Sequence, residues 1–237
     1  PPPAPPPPPP PQAQPPCTNP ALHHHPAPGP RHHLNYPEVG TEDTYIIIAT
    51  TRPETILGDT AIAVHPEDER YIHLHGAEVK VPMIDRTIPI IADPYVDREF
   101  GTGALKITPA HDQNDYEIGK KHGLEVVDVL TADGKMSEAA QLFVGEELLT
   151  ARKNVVALLE KQGLLEKVEP YTHSVGRSER THAVVEPRLS LQWYVRMDLL
   201  AAPALEAVMS DQVEFFPKNQ KNTYRHWMEN IRDWCIS

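Results

Sequence analysis

Three kinds of polar side chain gather within residues 101–115, a stretch that reads GTGALKITPAHDQND. Lys106 interrupts a short apolar segment, and Asp112 and Asp115 follow it after a break at Pro109. A spacing of three places both aspartates on one face of a helix that begins near Asp112. An ammonium and two carboxylates at a strand-to-helix junction can bind and orient a polar substrate.

Each of these residues also has a purely structural interpretation. Asp112 is a good helix N-cap and Asp115 a good acidic residue for a first turn, so the pair can serve to stabilise the helix. Lys106 can be an outward-facing residue of an alternating strand, with Leu105 and Ile107 in the core. The capping and binding roles are compatible, and the residues alone leave both open.

A second polar segment, residues 50–60, reads TTRPETILGDT and supplies hydroxyls and one arginine. Threonines are common in strands, so any one of these hydroxyls is unremarkable by itself. No nucleophile is evident. A Ser-His-Asp arrangement has no support either, because His111 and Asp112 are helix neighbours that do not face each other. If the site hydrolyses its substrate, we therefore expect an oriented water to attack that substrate directly, without a covalent enzyme intermediate. The general base is not identified by these residues.

The elements that must position these residues are short. Many short strands with helices between them predict an α+β class with a barrel-like domain rather than a parallel sheet. The strands follow from β-branched runs, and the helices from capping residues and helical spacing. We expect strands at residues 44–50, 60–64, 78–81, 87–92, 104–108, 125–130 and 189–197, and helices at 53–58, 66–74, 112–122, 146–162, 198–209 and 224–230.

Composition sets limits on the class of protein. Residues 1–40 hold most of the 27 prolines and few large apolar side chains, which predicts a proline-rich disordered tail. The net charge of −11 opposes binding to a polyanion, so any nucleic-acid contact must be local. Cys17 and Cys235 offer neither a disulfide framework nor metal-ligand spacing. With no apolar run long enough for a membrane span and no secretory signal, we expect a cytoplasmic protein.

Residues 50–60 and 101–115 together resemble the editing domain that is inserted in the class I aminoacyl-tRNA synthetases for valine, isoleucine and leucine. The resemblance covers about residues 41–237. Lys106 and the Arg52-Pro53-Glu54 run match the valine-specific members, from which the isoleucine and leucine types differ. The resemblance implies a barrel-like editing domain at residues 41–170. It also implies, at residues 171–237, a truncated return segment toward the α/β Rossmann-type synthetic core.

The resemblance also implies an activity, which is hydrolysis of threonine from the 3′ end of the tRNA for valine. It implies catalytic roles for Lys106, near the ester and the substrate hydroxyl, and for Asp112, which can pair with that lysine. Asp115 is expected to bind the α-ammonium. The other substrate-binding residues that it implies are Thr50, Thr51, Arg52, Thr55, Thr108 and His111.

The nucleotide-site motifs of this family are missing. Lys135-Met136-Ser137 only begins the Lys-Met-Ser-Lys-Ser motif, and His-Ile-Gly-His is absent. We therefore expect ATP and Mg²⁺ only in a full-length parent, no cofactor or metal for editing, no membrane partner, and a monomer. Two alternatives stay open: a non-catalytic segment that positions tRNA, and the editing domain of a leucine or isoleucine relative.

Overall fold

The computed structural model describes residues 22–41 and 44–236, which form two compact units. One unit ends at Leu189 and the other begins at Ser190. We expected the division after residue 170, but a long strand that begins before it continues to Ser178 and pairs within the first unit. The strands are β1 (Leu22–Pro37), β2 (Tyr45–Thr50), β3 (Ala61–Val64), β4 (Glu78–Lys80), β5 (Thr87–Ala92), β6 (Ala104–Ile107), β7 (Leu165–Ser178), β8 (Tyr194–Val195) and β9 (Trp234–Cys235).

Strand β1 corrects the expectation of a disordered tail over residues 1–40, of which residues 1–21 lie outside the described part. It is the middle strand of an antiparallel sheet in the order β2-β1-β7. Pro26, Pro28 and Pro30 alternate in the part of β1 that β2 does not cover, so their missing N–H groups fall on one free edge. Composition predicted disorder because it ignores this alternation.

The second sheet has the order β4-β5-β3-β6, in which only β3 and β5 are parallel. Within residues 22–41 and 44–236 no sheet closes on itself, so a mixed α and β fold is confirmed but a closed barrel is not. The chain leaves β6 through the polar junction at residues 108–112 instead of adding a further strand. This junction carries the candidate residues.

Helix α1 matches the prediction closely, because Asp112 caps its N-terminus and Gly123 ends it in the left-handed conformation. The expected helix at 66–74 is only a 3-10 turn. There, the Asp68 side chain accepts the Arg70 N–H and competes with helical bonds. The helices are α1 (Gln113–His122), α2 (Leu148–Lys161), α3 (Asp198–Met209) and α4 (Gln220–Glu229), with 3-10 turns at Pro53–Gly58, Ile72–Leu74 and Glu138–Ala140.

Two expected strands are also wrong or shortened. Residues 125–130 form only a bridge between Leu130 and Met136. Their backbone donors bond side chains instead: the Leu130 N–H binds Asp128 and the Val129 N–H binds His111. The strand expected at residues 189–197 is reduced to β8.

The core of the first unit packs the inner face of the β2-β1-β7 sheet against the second sheet and α2. Leu34 and Ile48 from the sheet and Val155 and Leu159 from α2 are fully buried in one apolar cluster. The site lies at the edge of this core, which explains how its polar groups become buried. The second unit comprises β8, α3, α4 and β9. In the described ranges, no helix is long and apolar enough to cross a bilayer.

Candidate functional site

A cavity of about 490 Å³ lies beside the junction that follows β6. Residues from β1, β2, β6, β7 and the start of α1 line it. Every site residue predicted from the sequence borders this cavity, so the structure brings the two motifs together. These residues are Thr50, Thr51, Arg52, Thr55, Lys106, Thr108, His111, Asp112 and Asp115.

Lys106 lies in a cluster of hydroxyls around one carboxylate. Its ammonium donates to the hydroxyls of Thr55, at 3.0 Å, and of Thr108. It also donates to Asp59 Oδ1 at 3.3 Å. An ammonium has three N–H donors, so each of them has a protein partner. Lys106 is only 12% exposed, and the interpretation as an outward-facing lysine is therefore wrong.

Asp59 is the buried acceptor that organises this cluster. Its side chain is fully buried and accepts from Thr108 Oγ1 at 2.6 Å and from the Tyr36 hydroxyl at 2.6 Å. Burial raises the pKa of Asp59, while the charge of Lys106 and the hydroxyl donors of Thr108 and Tyr36 oppose that rise. A carboxylate that receives three donors holds the lysine and the threonine hydroxyl in fixed orientations.

Asp59 and Tyr36 were not predicted from the sequence to have a role in the site. Asp59 stands inside the 50–60 motif, two residues before strand β3, and an acid at the entry to a buried strand was a usable signal. Tyr36 lies in the segment that we expected to be disordered. Its side chain is fully buried, and its contact with Asp59 depends on the pairing of β1 with β2.

Asp115 presents a second, separate carboxylate to the cavity. It is 6% exposed, and its Oδ2 accepts the Thr108 backbone N–H at 2.9 Å. Burial raises the pKa of Asp115 to about 7; Lys106 opposes the rise and Asp112 adds to it. This carboxyl is therefore poised to ionise when a cation enters the cavity.

Asp112 acts as the helix cap in this structure. Its Oδ1 accepts the backbone N–H groups of Asn114, at 2.8 Å, and of Asp115, at 3.1 Å. The pairing of Asp112 with Lys106 that we considered is not formed, since that lysine contacts Asp59 instead. Asp112 still borders the cavity, and a catalytic role for it stays a prediction.

Arg52 is fixed by protein groups on two sides. It donates from Nη1 to the His111 carbonyl oxygen at 2.8 Å and from Nη2 to Glu186 Oε2 at 2.6 Å. Behind it, the fully buried Glu54 accepts two bonds from Arg152, at 2.7 and 2.8 Å. These ion pairs lock the segment after β2 and hold the arginine at the edge of the cavity. Glu186 and Arg152 could not be predicted as partners from local patterns, because they lie far along the chain from Arg52 and Glu54.

The His111 ring is a buried acceptor rather than a charged ligand. Its Nε2 accepts the Val129 N–H at 3.0 Å, which assigns the ring proton to Nδ1. Burial lowers the pKa of His111 to about 3, and the positive charge of Arg52 adds to this shift. A neutral ring that ties the junction to residue 129 has a structural role, and its role in substrate binding stays a prediction.

The site thus combines the Lys106 ammonium and the hydroxyls around it with the adjacent, titratable carboxyl of Asp115. Such a pair can hold an amino-acid ester by its ammonium and by a side-chain hydroxyl. Among residues 22–41 and 44–236, no three His, Cys, Asp or Glu side chains form a group that could hold a metal ion. The expectation that editing needs no metal or cofactor stays a prediction.

Comparison with known proteins decides the family. Residues 34–237 match the model for "tRNA synthetases class I (I, L, M and V)". The chain belongs to this family. It is 54% identical over 205 residues to the valine--tRNA ligase of Bacteroides fragilis, and 55% identical over 210 residues to that of Geobacillus kaustophilus. These alignments cover 86% and 88% of the chain but only 23% and 24% of the two ligases, so the chain spans about a quarter of their length.

Among solved structures, the chain resembles the agnB2 LeuRS of Agrobacterium radiobacter K84, in a ternary complex with tRNA and LeuAMS. The TM-score is 0.48 at 22% identity, over 62% of this chain and 20% of that one.

Proposed function

We propose that the unit ending at Leu189 is the editing domain of a valine--tRNA ligase. In this role it hydrolyses threonine from the 3′ end of the tRNA for valine. The identity of more than half to valine--tRNA ligases supports the choice of amino acid. The observation that carries the proposal is one cavity bordered by Lys106, Thr108 and Asp115.

The need for such a site follows from the shape of the substrates. Threonine and valine are nearly isosteric, and a hydrophobic pocket cannot strongly reject an isostere that only adds a hydroxyl; valyl synthetases are the standard illustration. A second site that hydrogen-bonds the hydroxyl reverses the selection, because its polar groups would lose their partners with valine. The hydroxyls around Lys106 suit this purpose.

In the proposed complex, the ionised Asp115 binds the α-ammonium of the threonyl ester. Lys106 gives up one of its three protein acceptors to the threonine hydroxyl, which Thr55 and Thr108 also face. The positive charge of the ammonium stabilises the negative charge that develops on the ester oxygen. Asp59 keeps this cluster oriented but does not touch the substrate. An oriented water attacks the ester carbonyl directly, so no covalent enzyme intermediate forms. ATP and Mg²⁺ serve only the aminoacylation site of a longer parent.

Variants of the two charged groups test this proposal. Lys106→Ala and Asp115→Ala should each slow deacylation of threonyl-tRNA for valine by about 10- to 100-fold, since each removes a charge-assisted contact. Lys135→Ala is the control, because that lysine is 47% exposed, pairs with the exposed Asp133 and does not line the cavity. Unchanged rates in both test variants would show that the assignment is wrong.

Because Lys106→Ala leaves Asp59 buried without its cation, a second variant separates catalysis from folding. The double variant Asp59→Asn, Lys106→Met removes both charges and avoids the unpaired carboxylate. We expect it to fold, as judged by circular dichroism, and to deacylate as slowly as Lys106→Ala. A folded double variant with the full rate contradicts the role of Lys106.

A further inference from the structure

A buried carboxylate outside the cavity connects two of the cavity walls. Asp93 directly follows β5, and its backbone N–H donates to the carbonyl oxygen of Val64, at the end of β3, at 2.9 Å. Its side chain is 2% exposed and does not border the cavity. The proposed reaction gives Asp93 no role, yet a carboxyl is rarely buried so deeply unless its charge is paired.

The charged partners of Asp93 lie in the last turn of α1. Its Oδ2 accepts from Lys121 Nζ at 2.8 Å and from His122 Nε2 at 2.7 Å. Because an ionised carboxylate only accepts hydrogen bonds, the His122 ring proton is assigned to Nε2. Burial acts to raise the pKa of Asp93, but the donors from α1 and the Tyr95 N–H outweigh it and lower that pKa to about 2. The side chains of Asp93, Lys121 and His122 thus form a charged cluster, which we call the α1 anchor.

The same residue also holds the loop that forms another wall. Its Oδ1 accepts the Tyr95 backbone N–H at 2.9 Å, and the Asp93 carbonyl oxygen accepts the Val96 N–H at 3.2 Å. Tyr95 and Val96 border the cavity, and so do Asp112 and Asp115 at the start of α1. The anchor therefore joins the loop after β5 to the helix that carries the two aspartates.

Helix α1 contacts the junction after β6 at a point between its two ends. A Cβ on Gly119 would lie 2.8 Å from Pro109 Cγ, so the helix backbone packs directly on the junction there. Asp115 precedes this contact, whereas Lys121 and His122 follow it. At a rise of about 1.5 Å per residue, the anchor lies about 9 Å along the helix from Asp115. A tilt of the helix about the contact with Pro109, once the anchor is released, moves Asp115 relative to the cavity.

We propose that Asp93 is a positioning residue that fixes, through the last turn of α1, how deeply Asp115 is buried in the cavity. The Asp115 Oδ2 accepts the Thr108 N–H at 2.9 Å from the other side of the junction, so its position depends on the angle of α1. This inference concerns the placement of a helix and holds for any ligand of the cavity. Only its effect on hydrolysis rests on the proposed function.

The charged and titratable groups that face Asp115 come from four parts of the fold. They are Lys106 on β6, Asp112 at the start of α1, Asp59 before β3 and Tyr95 on the loop after β5. Burial is the largest cause of the raised pKa of Asp115. These groups are not part of the anchor, so a change in that pKa after release of the anchor reports the burial of the carboxyl.

The test is a pH titration of the Asp115 carboxyl by carbon-13 NMR in the 237-residue chain, labelled at aspartate. The signal is assigned by its loss in Asp115→Asn, and in the parent we expect a midpoint near pH 7. Asp93→Asn releases the anchor, so the midpoint should fall by at least about one pH unit as the Asp115 carboxyl gains contact with water. Asp211→Asn is the control and should leave the midpoint unchanged, because that carboxyl also accepts from a lysine but is 67% exposed.

A second variant separates release of the helix from the change in charge. Lys121→Met removes a positive charge and Asp93→Asn a negative one, so electrostatics alone would shift the Asp115 midpoint in opposite directions. Release of the anchor lowers the midpoint in both variants. Lys121 is 57% exposed, so its variant should fold, and it decides alone if Asp93→Asn does not fold. A midpoint that stays near 7 in folded Asp93→Asn, or that does not fall in Lys121→Met, overturns the inference.

The outcomes for the inference and for the proposed function differ. In steady-state kinetics, the pH at which kcat/KM for threonyl-tRNA rises should fall together with the NMR midpoint. If the midpoint falls as expected but even the parent does not hydrolyse threonyl-tRNA, the role of Asp93 stands and the editing proposal is wrong. If the parent hydrolyses threonyl-tRNA but the midpoint stays near 7 in Asp93→Asn, the inference is wrong and the editing proposal stands.

Discussion

Replacing Asp115 with asparagine should stabilise the protein at neutral pH and leave it unchanged near pH 4. The carboxyl is 6% exposed, and burial raises its pKa to about 7 from its ordinary value of 3.8. Between these two values the folded protein keeps a proton that the unfolded chain has released. The contribution of Asp115 to stability is therefore complete below pH 4 and is lost as the pH rises through 7.

The size of the effect follows from the shift. Each pH unit between the two pKa values lowers the free energy of unfolding by about 1.4 kcal/mol, which gives a total of about 4 kcal/mol. Asparagine does not titrate, and its carbonyl oxygen can still accept the Thr108 N–H. The variant should thus exceed the parent by up to about 4 kcal/mol at pH 8.

A difference measurement is needed because His111 has the opposite dependence on pH. Burial lowers its pKa to about 3, so its contribution to stability is present above about pH 6.5 and is lost as the pH falls. This term is common to both proteins and cancels in the difference between them. Without the subtraction, the two slopes would partly hide each other.

The assay is urea denaturation followed by far-ultraviolet circular dichroism at pH 4.5, 6, 7 and 8. Asp133→Asn is the control, since that carboxyl is 62% exposed and its pKa is lowered to about 2. Its difference from the parent should stay constant over this range. A constant difference for Asp115→Asn as well would refute the burial of an ionisable carboxyl at this position.

Three further predictions concern the buried charges. Tyr36→Phe removes the hydroxyl that donates to Asp59 and should cost about 1–3 kcal/mol of stability in urea, whereas Tyr45→Phe should cost less than about 0.5. Arg152→Met leaves the fully buried Glu54 without its two-bond partner and should cost about 3–5 kcal/mol; Arg225→Met, whose partner Glu229 is exposed, should be nearly neutral. In steady-state kinetics, kcat/KM for threonyl-tRNA should rise as the pH passes 7, because Asp115 must ionise to bind the ammonium, and Asp115→Asn should abolish that rise.

The prediction that the two motifs share one site came from their resemblance to a known editing domain, because the residues alone left both binding and structural roles open. Lys106 follows from an interrupted apolar segment, and Asp112 and Asp115 from a helix start with good capping residues. Local rules govern each of these features, so they were visible before the fold was known.

The partners that hold these residues could not be found in this way. Tyr36 reaches Asp59 only because β1 pairs with β2, and that pairing depends on an alternation hidden in a proline-rich composition. Glu186 meets Arg52 across 134 positions of the sequence. Register and long-range ion pairs are tertiary properties, which is why composition and local spacing could not supply them.

If the proposed function is right, this cavity distinguishes a threonyl ester from a valyl ester. Single-turnover deacylation of tRNA for valine, charged with either amino acid and mixed with excess 237-residue chain, tests this claim directly. We predict hydrolysis of the threonyl ester at a rate at least about a hundredfold above that of the valyl ester. Equal rates, or binding of both RNAs without hydrolysis of either, would contradict it.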